Sequence, residues 1–241
     1  MSTGLKIIEK NNIALEFFNS CAILYIETNK KGKLKMTIEE KFELAETSTS
    51  SETLDKLAYD KDEDIRFFVA KNKNTSKETL KRLSDDENVS VRWNVAENEN
   101  TPIEILKKLS DDENVSVRFN VAKNKNTSSE ILDKLANDDE YRVRWNVAKN
   151  ENTSSEILDK LSFEEYEDIR WNVAKNKNTS PETLDKLAND KDEEVRYYVA
   201  SNKNTSPETL DKLANDESEF VRGKVACNKN TSTKTLDKND Y

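Results

Sequence analysis

The stretch TSKETLKRLSDDENVSVRWNVAENEN, Thr75–Asn100, is followed at once by TPIEILKKLSDDENVSVRFNVAKNKN, Thr101–Asn126. The second copies the polar and apolar pattern of the first at a step of 26 residues, and the step holds outward in both directions. Thr49, Thr75, Thr101, Thr127, Thr153, Thr179, Thr205 and Thr231 keep it, as do the leucines from Leu54 to Leu236 and the arginines from Arg66 to Arg222. A fixed period of this length means a stacked array of one supersecondary unit, each copy touching mainly its neighbours. Function in such an array resides where the copies differ.

Within Thr75–Asn100, Thr75 and Glu78 read as a capping box that opens a first helix, helix A. The same Thr-x-x-Glu recurs down the chain and fails at Lys234. Pro102 would fall just inside a helix start, with Pro181 and Pro207 one residue later. Helix A buries Leu80, Leu83 and the small residue at 84, an i, i+3, i+4 face. Asp85 and Asp86 end it and open helix B, Val89–Ala96. Asn98-x-Asn100 then closes the repeat, because Asn bonds its own turn readily. Asn-Thr-Ser at Asn74 and its repeats matches a glycosylation sequon but reads as turn chemistry.

The run Asp…Val-Arg-x-x-Val-Ala resembles HEAT-like repeats. Asn202–Asp216, NKNTSPETLDKLAND, more closely resembles the variant leucine-rich repeat, with Lys203 where that family usually has Pro. The resemblance covers residues 45–236. It implies an all-α, right-handed α-solenoid of short two-helix units, one helix of each open to 3₁₀ geometry. Some members of that family carry an N-terminal iron–sulfur cluster. This chain lacks the cysteines for it, so no cofactor is expected. The expected organisation is an N-terminal capping segment, residues 1–44, and an array of about seven repeats, residues 45–241. The capping segment reads as a helix or two through Leu5–Phe18. A hairpin follows, with strands near Ala22–Thr28 and Lys33–Thr37 around Asn29–Gly32. Seven repeats at roughly 8–10 Å each would make a curved rod of about 60–70 Å.

Composition narrows the chemistry. The chain has no His, so the commonest general base and zinc ligand is missing. Its two cysteines, Cys21 and Cys227, have no ligand or disulfide spacing and suit a reducing compartment. Neither a signal peptide nor a membrane-spanning run is evident, which makes the expected location cytoplasmic. Asp60, Asp86, Asp112, Asp138, Asp190 and Asp216, with Glu164 in the gap, share the period of the arginines. An Asp–Arg ladder between neighbouring repeats explains them better than seven equivalent catalytic sites, and the chain reads as a non-enzyme. Its net charge is −9; residues 1–41 carry +2, leaving −11 for the repeats. That balance favours a basic protein partner over nucleic acid, and a monomer over self-association.

On a helical wheel, Val91 and Val95 of helix B face helix A and Trp93 points directly away. That outward position is Phe67, Trp93, Phe119, Trp145, Trp171 and Tyr197 in successive repeats. Lys123, Lys149 and Lys175 follow one turn later, and Val89, Val115, Tyr141 and Arg142 lie one turn earlier. An apolar stripe rimmed by charge marks a binding surface, and Trp, Tyr and Arg dominate interface energetics. The expected partner site is therefore Val89, Trp93, Val115, Phe119, Tyr141, Arg142, Trp145, Trp171, Lys123, Lys149 and Lys175. The expected function is a scaffold of adaptor or immunity type that holds a protein or peptide. The alternative is a nucleic-acid binder using the Trp–Lys lane. Two bland readings accompany the stripe: each ring half-buried over the next Asn-x-Asn loop, and Asn94, Asn120, Asn146 and Asn172 bonding between repeats.

Overall fold

The computed structural model of the chain describes residues 13–18, 22–28 and 34–238. It divides into two compact units, Met1–Asn100 and Thr101–Tyr241. The first holds strands β1 (Ile13–Phe18), β2 (Ala22–Thr28) and β3 (Leu34–Lys35), then helices α1 (Ile38–Thr47), α2 (Ser51–Leu57), α3 (Glu63–Lys71), α4 (Lys77–Leu83) and α5 (Val89–Glu97). The second continues with α6 (Ile103–Leu109), α7 (Val115–Lys123), α8 (Ser129–Leu135), α9 (Tyr141–Lys149), α10 (Ser155–Leu161) and α11 (Glu167–Lys175). It ends with α12 (Pro181–Leu187), α13 (Glu193–Ser201), α14 (Pro207–Leu213), α15 (Glu219–Cys227) and α16 (Thr233–Lys238). Even-numbered helices from α2 on are helix A and odd-numbered ones from α3 on are helix B. Both are α-helical, so the room the resemblance left for 3₁₀ geometry is not used.

The expected hairpin is present as antiparallel β2 and β3, though β3 is only two residues long. Ile13–Phe18, read from sequence as helical, is a strand instead and pairs with β2 from Ile13↔Glu27 to Phe18↔Ala22. Branched and aromatic residues take the extended form once a partner strand offers its ladder. The helix expected around Leu5–Ile8 lies outside the described residues.

The repeat core follows the sequence pattern. Leu80, Val91 and Val95 are fully buried and Leu83 nearly so; Leu158, Leu161, Ile169 and Val173 repeat the arrangement three repeats on. Each such side chain contributes roughly 1.5–3 kcal/mol of burial. The helices are too short to be stable alone, so this stacking is what holds them.

The caps sit one residue out of phase with the sequence reading. Ser76, not Thr75, is the N-cap of α4, and its hydroxyl accepts from the Thr79 N–H. Ser180 and Ser206 do the same for α12 and α14. The threonines are buried and turn the other way: the Thr75, Thr127, Thr179 and Thr205 hydroxyls donate to the carbonyls of Val69, Val121, Val173 and Val199. The threonine thus locks the B-to-A turn onto the preceding helix B, and no capping box forms there. The same shift makes Pro102 an N-cap residue and Pro181 and Pro207 the first helical residues. Helix B likewise opens at Asn88 and Asn114 rather than at the aspartates two residues before. Ser180→Ala should therefore lower stability by about 1 kcal/mol. Thr179→Val should cost a similar amount although Thr179 caps no helix. Denaturant titration of both variants checks this, and an unchanged Ser180→Ala midpoint would return the cap to threonine.

Helix α1 runs through residue 44 and occupies a helix B slot although its sequence does not repeat. Lys41 Nζ binds Asp60 Oδ2 at 2.6 Å, where later repeats use arginine. Phe42 meets Phe68 edge-on at 5.9 Å, and Asn72 Nδ2 donates to the Ala45 carbonyl.

Candidate functional site

The repeated charges are consumed internally. Arg66 Nε and Nη2 form a bidentate pair with Asp86 at 2.6 and 2.9 Å, while Nη1 donates to the Asp60 and Lys61 carbonyls of its own turn. In the second unit Arg118–Asp138, Arg144–Glu164, Arg170–Asp190 and Arg196–Asp216 repeat the pair. Burial pushes the carboxyls of Asp138, Asp190 and Asp216 up. The arginine bonds, backbone N–H groups and neighbouring cations outweigh it and hold them below the ordinary value. The ladder read from the sequence is present, with these carboxylates and guanidiniums bonded to one another.

The asparagines are consumed as well. In the second unit Asn150 Nδ2 donates to the Ala122 and Asn124 carbonyls and Asn152 Nδ2 to those of Lys125 and Thr127. The Asn150 side-chain oxygen accepts the Asn152 N–H. The buried helix asparagines differ from the expectation of an inter-repeat bond. Asn94, Asn146 and Asn172 donate within their own helix, to the carbonyls of Ser90, Arg142 and Asp168. A short amide on a tightly packed helix reaches its own i−4 carbonyl more easily than the next helix.

What remains is the outward face of helix B. In the second unit α7, α9, α11, α13 and α15 pack side by side, and Phe119, Trp145, Trp171 and Tyr197 stand on them half-buried. Lys149 Nζ lies 4.9 Å from the centre of the Trp145 ring. Trp171 stacks on Tyr198 at 5.4 Å and 22°, and Lys175 Nζ lies 5.5 Å from the Tyr198 ring. The stripe ends at Gly223, where a β-carbon would meet nothing within 4 Å.

Between the C-terminal ends of α7 and α9 lies a groove of about 580 Å³. Phe119 and Trp145 form its apolar walls and Lys123, Lys125 and Lys149 its rim, with Glu151 facing them. The first unit has a groove of nearly equal size, about 590 Å³, at the same place in the repeat. There Lys71 and Lys73 are balanced by Glu97 and Glu99.

Of the expected site residues, Phe119, Lys123, Trp145 and Lys149 come together at the second-unit groove. Trp171 and Lys175 form the next rung. Val115, Tyr141 and Arg142 are at the other end of their helices, about 12 Å away along a nine-residue helix; there Tyr141 stacks on Tyr166 at 5.0 Å. Val89 and Trp93 belong to the first unit. Lys125, Asn126 and Glu151 were missed because a wheel ends where the helix ends. Tyr198 was visible only as an aromatic breaking the Asn94-type position. Among the described residues no group of His, Cys, Asp and Glu could hold a metal ion, and no helix is long and apolar enough to cross a membrane.

No protein-family model matches the sequence, and no curated protein does. Among solved structures, the chain is similar to a leucine-rich repeat variant with a novel repetitive structural motif. The identity is 28% and the TM-score 0.57, over 73% of this chain and 70% of that one. The chain is an α-helical repeat protein. A designed armadillo repeat protein also matches this helical-repeat chain, at 17% identity and a TM-score of 0.34, over 73% of this chain and 97% of the other. That superposition is too loose to carry residue correspondences. An engineered protein matches comparably, at 16% identity and a TM-score of 0.43, over 78% of this chain and 72% of the other.

Proposed function

We propose that this repeat protein is a non-enzymatic scaffold that holds a protein or peptide segment in the groove between α7 and α9. The observation that carries this reading is the division of labour among the side chains. The arginines, the carboxylates of the ladder and the turn asparagines bind one another or the backbone. Phe119, Trp145 and their lysines are turned outward. Paired aromatic walls beside a charged rim are the composition of an interface core and its edge. Residues 1–44 cap the array in this reading, and the protein acts as a monomer.

The test is a peptide-display selection on the intact chain, followed by Phe119→Ala/Trp145→Ala. Peptides enriched on the parent protein should lose at least about tenfold in affinity, the effect of removing one or two hot-spot side chains. The helical circular dichroism signal should persist, because both rings are only half-buried and stand outside the Leu/Val core. Undiminished binding to the double variant would refute the groove as the site.

A further inference from the structure

We infer that the turn between α10 and α11 is a second docking surface, one that takes a basic protein segment carrying an apolar side chain. It lies at the opposite end of helix B from the groove and does not depend on the reading of that groove.

This turn departs from its repeat at two positions, and both changes are to exposed rings. The position of Phe163 is Asp111, Asn137, Asn189 and Asn215 elsewhere in the second unit. Each of those three asparagines donates its side-chain amide to the carbonyl four residues back, that of Asp133, Asp185 or Asp211. Phe163 has no such donor and is 72% exposed. Tyr166 is the N-cap residue of α11, a position at which Asn114 and Asp192 accept a helix N–H. Tyr166 makes no side-chain cap bond and is 39% exposed. The turn therefore forgoes two local hydrogen bonds and leaves two aromatic side chains in water. Tyr166 recovers part of that loss by stacking on Tyr141 at 5.0 Å. Lys186, held by Asp159 at 2.6 Å, lies 5.2 Å from the centre of the Phe163 ring. Neither contact buries the ring it touches, and neighbouring exposed rings of this size mark a contact surface.

The charge around the rings selects the partner. Asp139, Glu140, Glu165 and Glu167 are exposed, lie within two residues of Tyr141 or Tyr166, and form no ion pair among the described residues. Glu164, between Phe163 and Tyr166, is spent on the ladder with Arg144. Arg142, 6.0 Å from the centre of the Tyr141 ring, offsets one of the four charges. Acids at a helix start also complement its dipole, but that cause gives no reason for rings among them. Carboxylates around an apolar centre are complementary to Lys or Arg placed around an apolar side chain. Tyrosine faces attract the same cations. The phosphates of a nucleic acid would be repelled.

The experiment uses fluorescein-labelled peptides of equal length with one central Leu, flanked by Lys and Arg, by Gln and Asn, or by Asp and Glu. Fluorescence anisotropy on the intact chain should rank the Lys/Arg peptide first, with binding that weakens as salt rises. Phe163→Asn/Tyr166→Asn should weaken it by about tenfold or more. Other repeats carry Asn at both positions, as at Asn189 and Asn114, so this variant should keep a denaturation midpoint no lower than the parent's. Glu140→Gln/Glu165→Gln/Glu167→Gln should also weaken binding with the rings intact, and it decides the question if the Asn variant unfolds. Preference for the neutral or acidic peptide, or no binding of the basic one, overturns the inference. So does basic-peptide binding that the ring and carboxylate variants both leave unchanged. Phe119→Ala/Trp145→Ala should not alter basic-peptide binding. A loss confined to that variant would place the basic peptide in the groove and refute the docking surface inferred here.

Discussion

Arg170→Ala is expected to remove about 3–5 kcal/mol of stability, the cost of breaking a buried ion pair from one side. Arg170 and Asp190 are each largely buried, and the pair is bidentate at 2.7 and 2.9 Å. The remaining guanidinium nitrogen donates to the Glu164 and Glu165 carbonyls at 2.8 Å each. Truncation strands the Asp190 carboxylate with the Asp192 N–H among its few partners, and leaves both carbonyls without that donor. Denaturant titration should show a markedly lower midpoint. Replacing both members by Leu should cost less than Arg170→Ala alone, because no charge is then left unpaired. A loss below about 1 kcal/mol would place the pair with ordinary surface bridges.

The same residue sets the acid limit. Burial raises the Asp190 carboxyl, but the bonds from Arg170 and Asp192, with the charges of Arg170 and Lys191, bring it below its ordinary 3.8 in the folded chain. A lowered folded-state value means stability that is present above 3.8 and lost as pH falls through the lowered value. In Arg170→Ala the burial remains while the largest compensating bonds are gone. Acid unfolding should then begin at a higher pH than in the parent chain. Coincident acid transitions for the two proteins would contradict this.

Asn176→Ala should cost about 3 kcal/mol, more than any single exposed cap. Asn176 is buried, and its amide donates to the Ala148 and Asn150 carbonyls one repeat back at 2.9 Å each. Its oxygen accepts the Asn178 N–H and so shapes the turn into α12. Alanine leaves three buried or half-buried backbone groups unpaired, each worth about 1–3 kcal/mol when water cannot replace the bond. Asn176→Asp keeps the acceptor and loses both donations, so it should fall at least as far, with a carboxylate facing two carbonyls. Calorimetric unfolding of the pair checks this; an Asp variant as stable as the parent would show that the two donations contribute little.

The repeat and most of its interior were legible in the sequence, because each depends on chemistry within one helix or on a strict 26-residue step. Leu80, Leu83, Val91 and Val95 are buried as a helical wheel requires. The Arg–Asp ladder follows from two charged positions that share one period. Tertiary structure decided what depends on bringing together residues of different repeats. It set the phase of the cap, since Ser76 and Thr75 are equally good hydroxyls until Val69 is seen beside one of them. It made Ile13–Phe18 a strand, because the partner that pairs with it lies in β2. It turned Asn146 inward to its own helix and seated Tyr198 on Trp171. It also placed Lys125, Asn126 and Glu151, which no wheel includes, at the rim of the groove behind Phe119 and Trp145. Net charge is a sum over the sequence, but folding gathers only some of those charges around one groove, and in the second unit they are Lys123, Lys125, Lys149 and Glu151.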